Sequence, residues 1–318
     1  MIHADRPTAL VTGSSGFCGR HLAAELVAGG YRVAGLDRRP AATPGLEFYH
    51  GDITDAQAVR AALEGSRPAV VVHLAALLDP RRSYAELHEA NVLGTLCLLE
   101  AVGQVCPDAT IVVTGTSAVY GRVSPEDLPI AESQPFQPAN AYAVTKIAQE
   151  MLAYQQHAAH GLRVIRTRTF NLAGPGESPA FASSAFARQV AEIELGRREP
   201  VLKVGNLESV RDFTDVRDAV RAYRLLAERG EPGAVYNVCS GHGTPIRRIL
   251  DILLDLSRVR GISVEVDPAR FQPADVPIQV GDPSRLQAAT GWSPAITLEQ
   301  TLAGVLDDWR DRVREEGL

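Results

Sequence analysis

Short apolar runs alternate with amphipathic stretches along the first half of the chain. Residues 8–12 (TALVT), 31–36 (YRVAGL), 69–73 (AVVVH), 109–114 (ATIVVT) and 163–168 (RVIRTR) are rich in β-branched and apolar side chains. Near-continuous runs of this kind predict strands covered on both faces. Between them, apolar residues recur at helical spacing over 19–28, 56–63, 84–102 and 143–159, which predicts helices. The βαβα order predicts an α/β fold built on a doubly wound parallel sheet. Past residue 170 the order changes. Gly174-Pro175-Gly176, Pro179, Pro200 and Gly205, then Pro268, Pro273, Pro277 and Pro283, cut the chain into short pieces. Within this region we expect a helix over 216–229, a strand over 234–238 and a terminal amphipathic helix around Trp309. The division expected is one domain from 1–170 with the return segment 213–238, and a smaller, irregular α/β C-terminal lobe from 171–212 and 239–318.

The first turn carries chemistry. Thr12-Gly13-Ser14-Ser15-Gly16-Phe17-Cys18-Gly19 follows the first strand and opens the first helix, with glycines at three-residue intervals. Such a turn needs glycine for tightness, for close backbone approach to a pyrophosphate and for helix–strand packing. The helix end behind it offers unpaired N–H groups to phosphate. The sheet is therefore expected to be of the Rossmann type, with Gly13, Ser15, Gly16, Phe17, Cys18 and Gly19 holding a dinucleotide. Asp37 closes the second strand about 20 residues on, where an acid accepts from the adenosine ribose. Asp37 points to NAD, whereas Arg38 and Arg39 can pair with the extra phosphate of NADP, so the cofactor is read as NAD(P)H with the two left open. Asp52 and Ile53 follow a short strand and are placed beside the adenine. Leu74, Ala75 and Ala76 follow His73 at a strand end, with small residues where a cofactor must lie close.

Tyr142 and Lys146 stand four residues apart at a helix start and share one face. An ammonium beside a phenol favours the phenolate, so Lys146 is expected to lower the pKa of Tyr142 and poise it for proton transfer. Thr116 follows the strand over 109–114, at the carboxyl end of the sheet where ligands bind, and its hydroxyl can bond a reacting oxygen. Ser117 is a neighbour with the same chemistry.

Composition narrows the picture. Hydrophobic residues make up 45% and charged residues 22% of the 318, the balance of an ordinary globular protein. The net charge of -6, with no long basic run, argues against a nucleic-acid partner. The four cysteines, Cys18, Cys97, Cys106 and Cys239, form no close pair and no metal spacing. They suit a reducing, cytoplasmic setting. The opening MIHADRPTALVTG lacks a secretory pattern, and no stretch approaches the ~18 apolar residues of a membrane helix. No metal and no membrane partner are expected.

The glycine turn, Asp37, HLAA at 73–76, TSAVYG at 116–121 and YAVTK at 142–146 together resemble the extended short-chain dehydrogenase/reductase family. Further strings resemble its GDP-mannose dehydratase/GDP-4-keto-6-deoxymannose reductase branch: VGNLESVRDFTDVRDA at 204–219, VYNVCSG at 235–241, DPAR at 267–270 and TGW at 290–292. The likeness runs from Ala9 to about Val313. It implies Thr116, five residues before Gly121, with Tyr142 and Lys146 as the catalytic trio, Lys146 also holding the cofactor. It implies Asn91 as a structural partner near the active site, counted with the cofactor-binding residues. It places Arg211 on the substrate diphosphate, with Ser117, Asn171, Val204, Arg270 and Asp275 as further substrate contacts. The family's Asn-His-x-Gly-Pro-Gly-Gln segment reads Asn171-Leu172-Ala173-Gly174-Pro175-Gly176-Glu177 here. Sugar 4,6-dehydratases of this kind follow the catalytic Thr with an acid pair; Ser117 and Ala118 stand there instead. The activity implied is therefore reduction of the 4-keto group of a GDP-linked 6-deoxyhexose, the C-terminal lobe binding the nucleotide-diphosphate sugar. A homodimer is implied, through two helices per subunit including that of Lys146. The alternatives are an NAD-dependent 4-epimerase using the same trio, a 4,6-dehydratase, and a sensor that binds NAD(P) without chemistry.

Overall fold

The computed structural model describes residues 6–40, 43, 45–79, 82–270 and 276–316. In chain order its elements begin with β1 (Thr8–Thr12), α1 (Phe17–Ala28), β2 (Arg32–Asp37), β3 (Glu47–His50), α2 (Ala56–Ser66) and β4 (Val70–His73). Next come α3 (Tyr84–His88), α4 (Gly94–Val105), β5 (Thr110–Thr116), α5 (Ala141–His160), β6 (Arg163–Thr169), β7 (Asn171–Ala173) and α6 (Ala182–Glu194). Then follow β8 (Val201–Val204), β9 (Val210–Asp215), α7 (Val216–Arg229), β10 (Val235–Val238), β11 (Gly243–Pro245) and α8 (Ile246–Leu256). The chain ends with β12 (Ser263–Val266), β13 (Ile278–Gln279), α9 (Ser284–Thr290) and α10 (Leu298–Glu315).

Seven strands form one parallel sheet in the order β10-β6-β5-β4-β1-β2-β3. Every residue of β1 is buried, because helices cover both faces. On one face Leu22 and Leu26 of α1 pack with Val216, Val220 and Tyr223 of α7. On the other, Val59 and Leu63 of α2 meet Leu98 and Leu99 of α4. The strand order reverses between β1 and β4, so their carboxyl ends open a crevice at the switch point.

The lobe has its own core. Phe186 and Val190 of α6, Leu202 of β8, Ile249 and Leu253 of α8, and Leu306 and Trp309 of α10 pack together. Trp309 donates its indole N–H to Ser184 Oγ at 2.8 Å. A small sheet of β11, β9, β13 and β7 lies between this core and the large sheet, with β9 at its centre. Leu286 of α9 and Trp292 return to the core under the seven-stranded sheet.

Two expected helices change. The single helix over 84–102 is instead α3 and α4 joined by a π-turn at Glu89–Leu93. The extra residue of such a turn turns Asn91 inward, where it is fully buried. The helix expected from 143 begins at Ala141, because Asn140 caps it with a bond accepted from Ala143 N at 2.9 Å. Tyr142 thus lies in the first turn.

Candidate active site

The glycine turn leaves β1 at the switch point. Gly13 has φ 72°, and a Cβ there would stand 2.9 Å from Ala75 N. A Cβ on Gly19 would stand 2.2 Å from the Gly13 carbonyl oxygen. No residue but glycine fits either place. The turn therefore lies flat beside Leu74 and Ala75, at the end of β4. No side chain caps α1 and no acid occupies its first turn. The Ser15 hydroxyl is buried without a hydrogen-bond partner. Asp37, at the end of β2, accepts from Ser15 N at 3.0 Å and from Arg39 N at 3.2 Å, which pins its carboxylate at the rim. Arg38 lies outside it, 3.6 Å from Asp52, both side chains exposed. Ile53 packs where a Cβ on Gly94 would stand, 2.7 Å from its Cγ2. An open helix end, an orphan hydroxyl, backbone with no Cβ in the way and an acid at the rim fit a dinucleotide: phosphates on the turn, adenosine toward Asp37. Gly13, Ser15, Gly16, Phe17, Cys18, Gly19, Asp37, Leu74 and Ala75 meet here, Ala76 follows directly, and Arg38, Asp52 and Ile53 flank them.

Beneath the cradle, the polar groups of His73, Thr95 and Asn91 are engaged with one another and with their neighbours. His73 is buried, with Nδ1 2.7 Å from Thr12 Oγ1 and Nε2 2.9 Å from Thr95 Oγ1. Thr95 donates its own proton to the Asn91 carbonyl at 2.6 Å, so it accepts from His73 Nε2–H, and Nδ1 accepts from Thr12. Burial, with Lys146 nearby, pushes the His73 pKa down to about 3, so the ring stays neutral. Asn91 Oδ1 accepts from Leu77 N at 2.7 Å; Nδ2 donates to the Leu77 carbonyl and to Thr145 Oγ1, each at 3.1 Å. Its amide is spent on the protein. Asn91 therefore bears on the cofactor cradle through Leu77 and α5, and is not a direct ligand.

The trio gathers at the crevice. Thr116 ends β5, and its Oγ1 accepts from Ala118 N at 3.2 Å. Its hydroxyl is near enough to the Tyr142 phenol to favour the phenolate. Lys146, one turn along α5, is 3% exposed, and its Nζ donates to the Thr114 carbonyl at 2.7 Å. Burial lowers its pKa to about 7, with Glu150 opposing. The expected depression of the Tyr142 pKa is not found. Burial pushes it above the ordinary phenol value, and the Thr116 hydroxyl only partly offsets this. The Lys146 ammonium is turned to a backbone carbonyl, so Tyr142 is held as the protonated phenol. Cys18 and Tyr223 of α7 lie close by; burial, then Glu177, lifts the Cys18 thiol to about 12. Tyr223 Oη lies 2.8 Å from Thr169 Oγ1. The sequence hid Tyr223 on the apolar face of its helix.

The substrate-side residues divide. Arg211 sits on β9, opposite Thr244 of β11 and Gln279 of β13, and its Nη1 donates to the Val210 carbonyl at 2.9 Å. Asn171 opens β7, paired with Phe213 two residues along β9, so the small sheet brings these two together. Arg270 pairs with Asp267 at 3.4 Å beside Gly205. Val204 is not available to a ligand: its side chain is fully buried in the lobe core, and its carbonyl accepts from Asp267 N at 2.8 Å. Ser117 is likewise committed. It is 3% exposed and its hydroxyl donates to Gln279 Oε1 at 3.0 Å. Asp275 lies outside the described residues. Among the described residues no three His, Cys, Asp or Glu side chains group as metal ligands, and no helix is long and apolar enough to cross a membrane.

Comparison with known proteins follows the same lines. The chain is 39% identical over 313 residues to GDP-6-deoxy-D-mannose reductase of Pseudomonas aeruginosa, covering 96% of this chain and 98% of that one. It superposes on the structure of RMD from Pseudomonas aeruginosa complexed with NADPH with a TM-score of 0.87 and 36% identity, covering 96% and 99% of the two chains. UDP-glucose 4-epimerase of Thermus thermophilus complexed with NAD gives a TM-score of 0.84 and 31% identity, covering 95% and 99%. A profile of the GDP-mannose 4,6 dehydratase family matches residues 10–305. The chain belongs to the GDP-mannose 4,6 dehydratase family, and through it to the extended short-chain dehydrogenase/reductases, enzymes that act with NAD(P) on nucleotide sugars.

Proposed function

We propose that the protein is an NAD(P)H-dependent reductase of the 4-keto group of a nucleotide-linked 6-deoxyhexose, converting GDP-4-keto-6-deoxy-D-mannose to GDP-D-rhamnose. The observation that carries the reading is the 2.7 Å bond from Lys146 Nζ to the Thr114 carbonyl, which sets the α5 turn of Tyr142 and Lys146 against the end of β5 that carries Thr116. The 39% identity to a GDP-6-deoxy-D-mannose reductase supports the substrate.

The residues have separate tasks. Gly13, Ser15 and the first turn of α1 hold the cofactor phosphates, and Asp37 takes the adenosine ribose. Bound there, the dihydronicotinamide supplies hydride to C4 of the sugar. Tyr142, kept protonated by burial, gives its proton to the sugar O4, and Thr116 bonds that oxygen as charge develops. Tyr142 is left as a phenolate and recovers a proton from solvent. Lys146, anchored on Thr114, favours that phenolate once it forms and holds the nicotinamide ribose. Arg211 clamps the sugar diphosphate with a guanidinium fork, and Asn171 lies next to it. Ser117 and Ala118 hold no carboxyl, so the acid–base pair needed to remove water from the sugar is missing. Val144, Met151 and Tyr154 are exposed on one face of α5, which supports pairing of two copies through that helix.

The test is Tyr142→Phe in the purified protein. Turnover of GDP-4-keto-6-deoxy-D-mannose is expected to fall by about 10² to 10⁴-fold, the span of general acid catalysis, while NADPH binding is kept. Undiminished turnover removes Tyr142 from the chemistry and refutes the reading. The 4-epimerase alternative keeps the same trio and is favoured by the 31% identity to a UDP-glucose 4-epimerase.

A further inference from the structure

Ser117 and Gln279, 162 residues apart, face each other with two hydrogen bonds. Ser117 Oγ donates to Gln279 Oε1 at 3.0 Å, and Gln279 Nε2 donates to the Ser117 carbonyl at 3.0 Å. Both residues are buried, at 3% and 7% exposure. One amide thus grips both the side chain and the backbone of the residue next to Thr116. Gln279 is itself held in a stiff frame. Val210 N donates to the Pro277 carbonyl at 2.8 Å, and Gly281 N donates to Asp212 at 3.2 Å. Ile130 N donates to the Val280 carbonyl at 2.8 Å, and Asp282 N to the Ile130 carbonyl at 2.9 Å. In register, Gln279 lies opposite Arg211 across β13 and β9. The strand that carries Arg211 is therefore one hydrogen-bonded step from the strand that grips the Thr116–Ser117 turn.

We infer that Gln279 is a positioning residue: it fixes the Thr116 hydroxyl relative to Tyr142 by clamping Ser117, and it links that geometry to the strand carrying Arg211. The inference rests on the reading of Thr116 and Tyr142 as the groups that act at the sugar 4-position. Gln279 touches the protein only and acts through Ser117. An amide suits the place because one end must accept from a hydroxyl while the other donates to a carbonyl. A buried pair left half-made costs more than one replaced at both ends.

The experiment compares Gln279→Leu, Gln279→Glu, Ser117→Ala and the Ser117→Ala/Gln279→Leu double variant with the wild type, all as the full chain. NADPH affinity by fluorescence, kcat and KM are read for each across a pH series. The expected result is unchanged NADPH affinity and a kcat lowered at least about tenfold in each single variant, with the double variant no worse than either single. Gln279→Glu is the diagnostic one. Its ionised carboxylate still accepts from Ser117 but opposes the Ser117 carbonyl. Lowering the pH protonates it and restores the donor, so its kcat relative to wild type rises in acid while that of Gln279→Leu stays flat. A merely structural side chain does not produce that pH-dependent rescue. Should Gln279→Leu fail to fold, Ser117→Ala and Gln279→Glu carry the test from the two sides. Variants with wild-type kcat and KM, or a double variant with multiplied losses, overturn the inference. A wild type that instead shows only UDP-glucose 4-epimerisation fails the reductase reading alone, because the same variants are then scored on that activity. No turnover of either sugar overturns both.

Discussion

Glu177 stands where the family pattern has Gln, and the structure gives that difference a measurable consequence. Its side chain is 2% exposed, and its Oε2 accepts from Ser183 Oγ at 2.8 Å. Ser184 and Arg312 bond its carbonyl, Asp308 accepts from Gly176 N beside it, and Cys18 and Arg20 face the turn from α1. Burial raises its pKa from 4.5 to about 8, with the Ser183 bond opposing. The folded state therefore keeps a proton that the unfolded chain releases. The sign follows: below the unfolded value there is no penalty. Between 4.5 and about 8 stability falls by about 1.4 kcal/mol per pH unit, and above that it stays at the lower level. The whole span amounts to roughly 5 kcal/mol. Glu177→Gln keeps the shape and the Ser183 bond and removes the titration. Its stability advantage over wild type should be near zero at about pH 4.5 and grow to roughly 5 kcal/mol by about pH 9. For 318 residues this is a melting-point gap of roughly 7 °C, at about 2.1 cal/mol/K of unfolding entropy per residue. Lys146, whose pKa is lowered to about 7 from 10.5, has the opposite slope above neutrality. It is common to both proteins and cancels in the difference. Urea unfolding of the cofactor-free proteins across that pH range measures the gap directly. A difference that does not change with pH, to within about 0.5 kcal/mol, the usual span of an innocuous substitution, refutes the placement of Glu177 as a buried acid.

Three further outcomes follow from named contacts. Gly13→Ala forces a Cβ to 2.9 Å from Ala75 N at φ 72°. It should lower stability by about 1–3 kcal/mol and abolish NADPH fluorescence enhancement; a variant that binds NADPH normally removes this turn from the cofactor site. Asn91→Ala strips Leu77 of both bonds to the Asn91 amide and Thr145 of one. It should cost about 2–4 kcal/mol in urea unfolding, and a smaller loss than about 1 kcal/mol shows that the π-turn has no positioning task. Arg211→Ala should raise KM for the nucleotide sugar by about 10- to 100-fold, as for a lost charge-assisted bond of roughly 1.5–3 kcal/mol, leaving NADPH affinity as it was. An unchanged KM places the diphosphate elsewhere.

Sequence patterning reads the sheet well and the lobe poorly, for physical reasons. β1 and α7 fall on 8–12 and 216–229 as expected, because strands covered on both faces and a helix with one apolar stripe leave strong local signals. The lobe helices α6 and α8 were hidden by the surrounding Gly and Pro residues, although Ile246, Ile249, Leu250 and Leu253 recur at helical spacing. The π-turn at Glu89–Leu93 has no local signature of its own. Spacing alone set Tyr142 and Lys146 on one helix face, and the glycine turn was legible because only glycine fits it. The direction of the Tyr142 pKa was not legible. It depends on burial and on neighbours distant in sequence such as Cys18 and Tyr223, which is tertiary information. Gln279 escaped for the same reason: its partner lies 162 residues away, and nothing local distinguishes it from a solvent-facing strand residue.

Net reduction at the sugar 4-position shows itself in cofactor stoichiometry. Purified protein given NADPH and GDP-4-keto-6-deoxy-D-mannose should consume one reduced cofactor for each GDP-D-rhamnose formed, with the loss of reduced-cofactor absorbance tracking product. Conversion of a nucleotide sugar with no net consumption of NADPH would rule out net reduction and point to epimerisation.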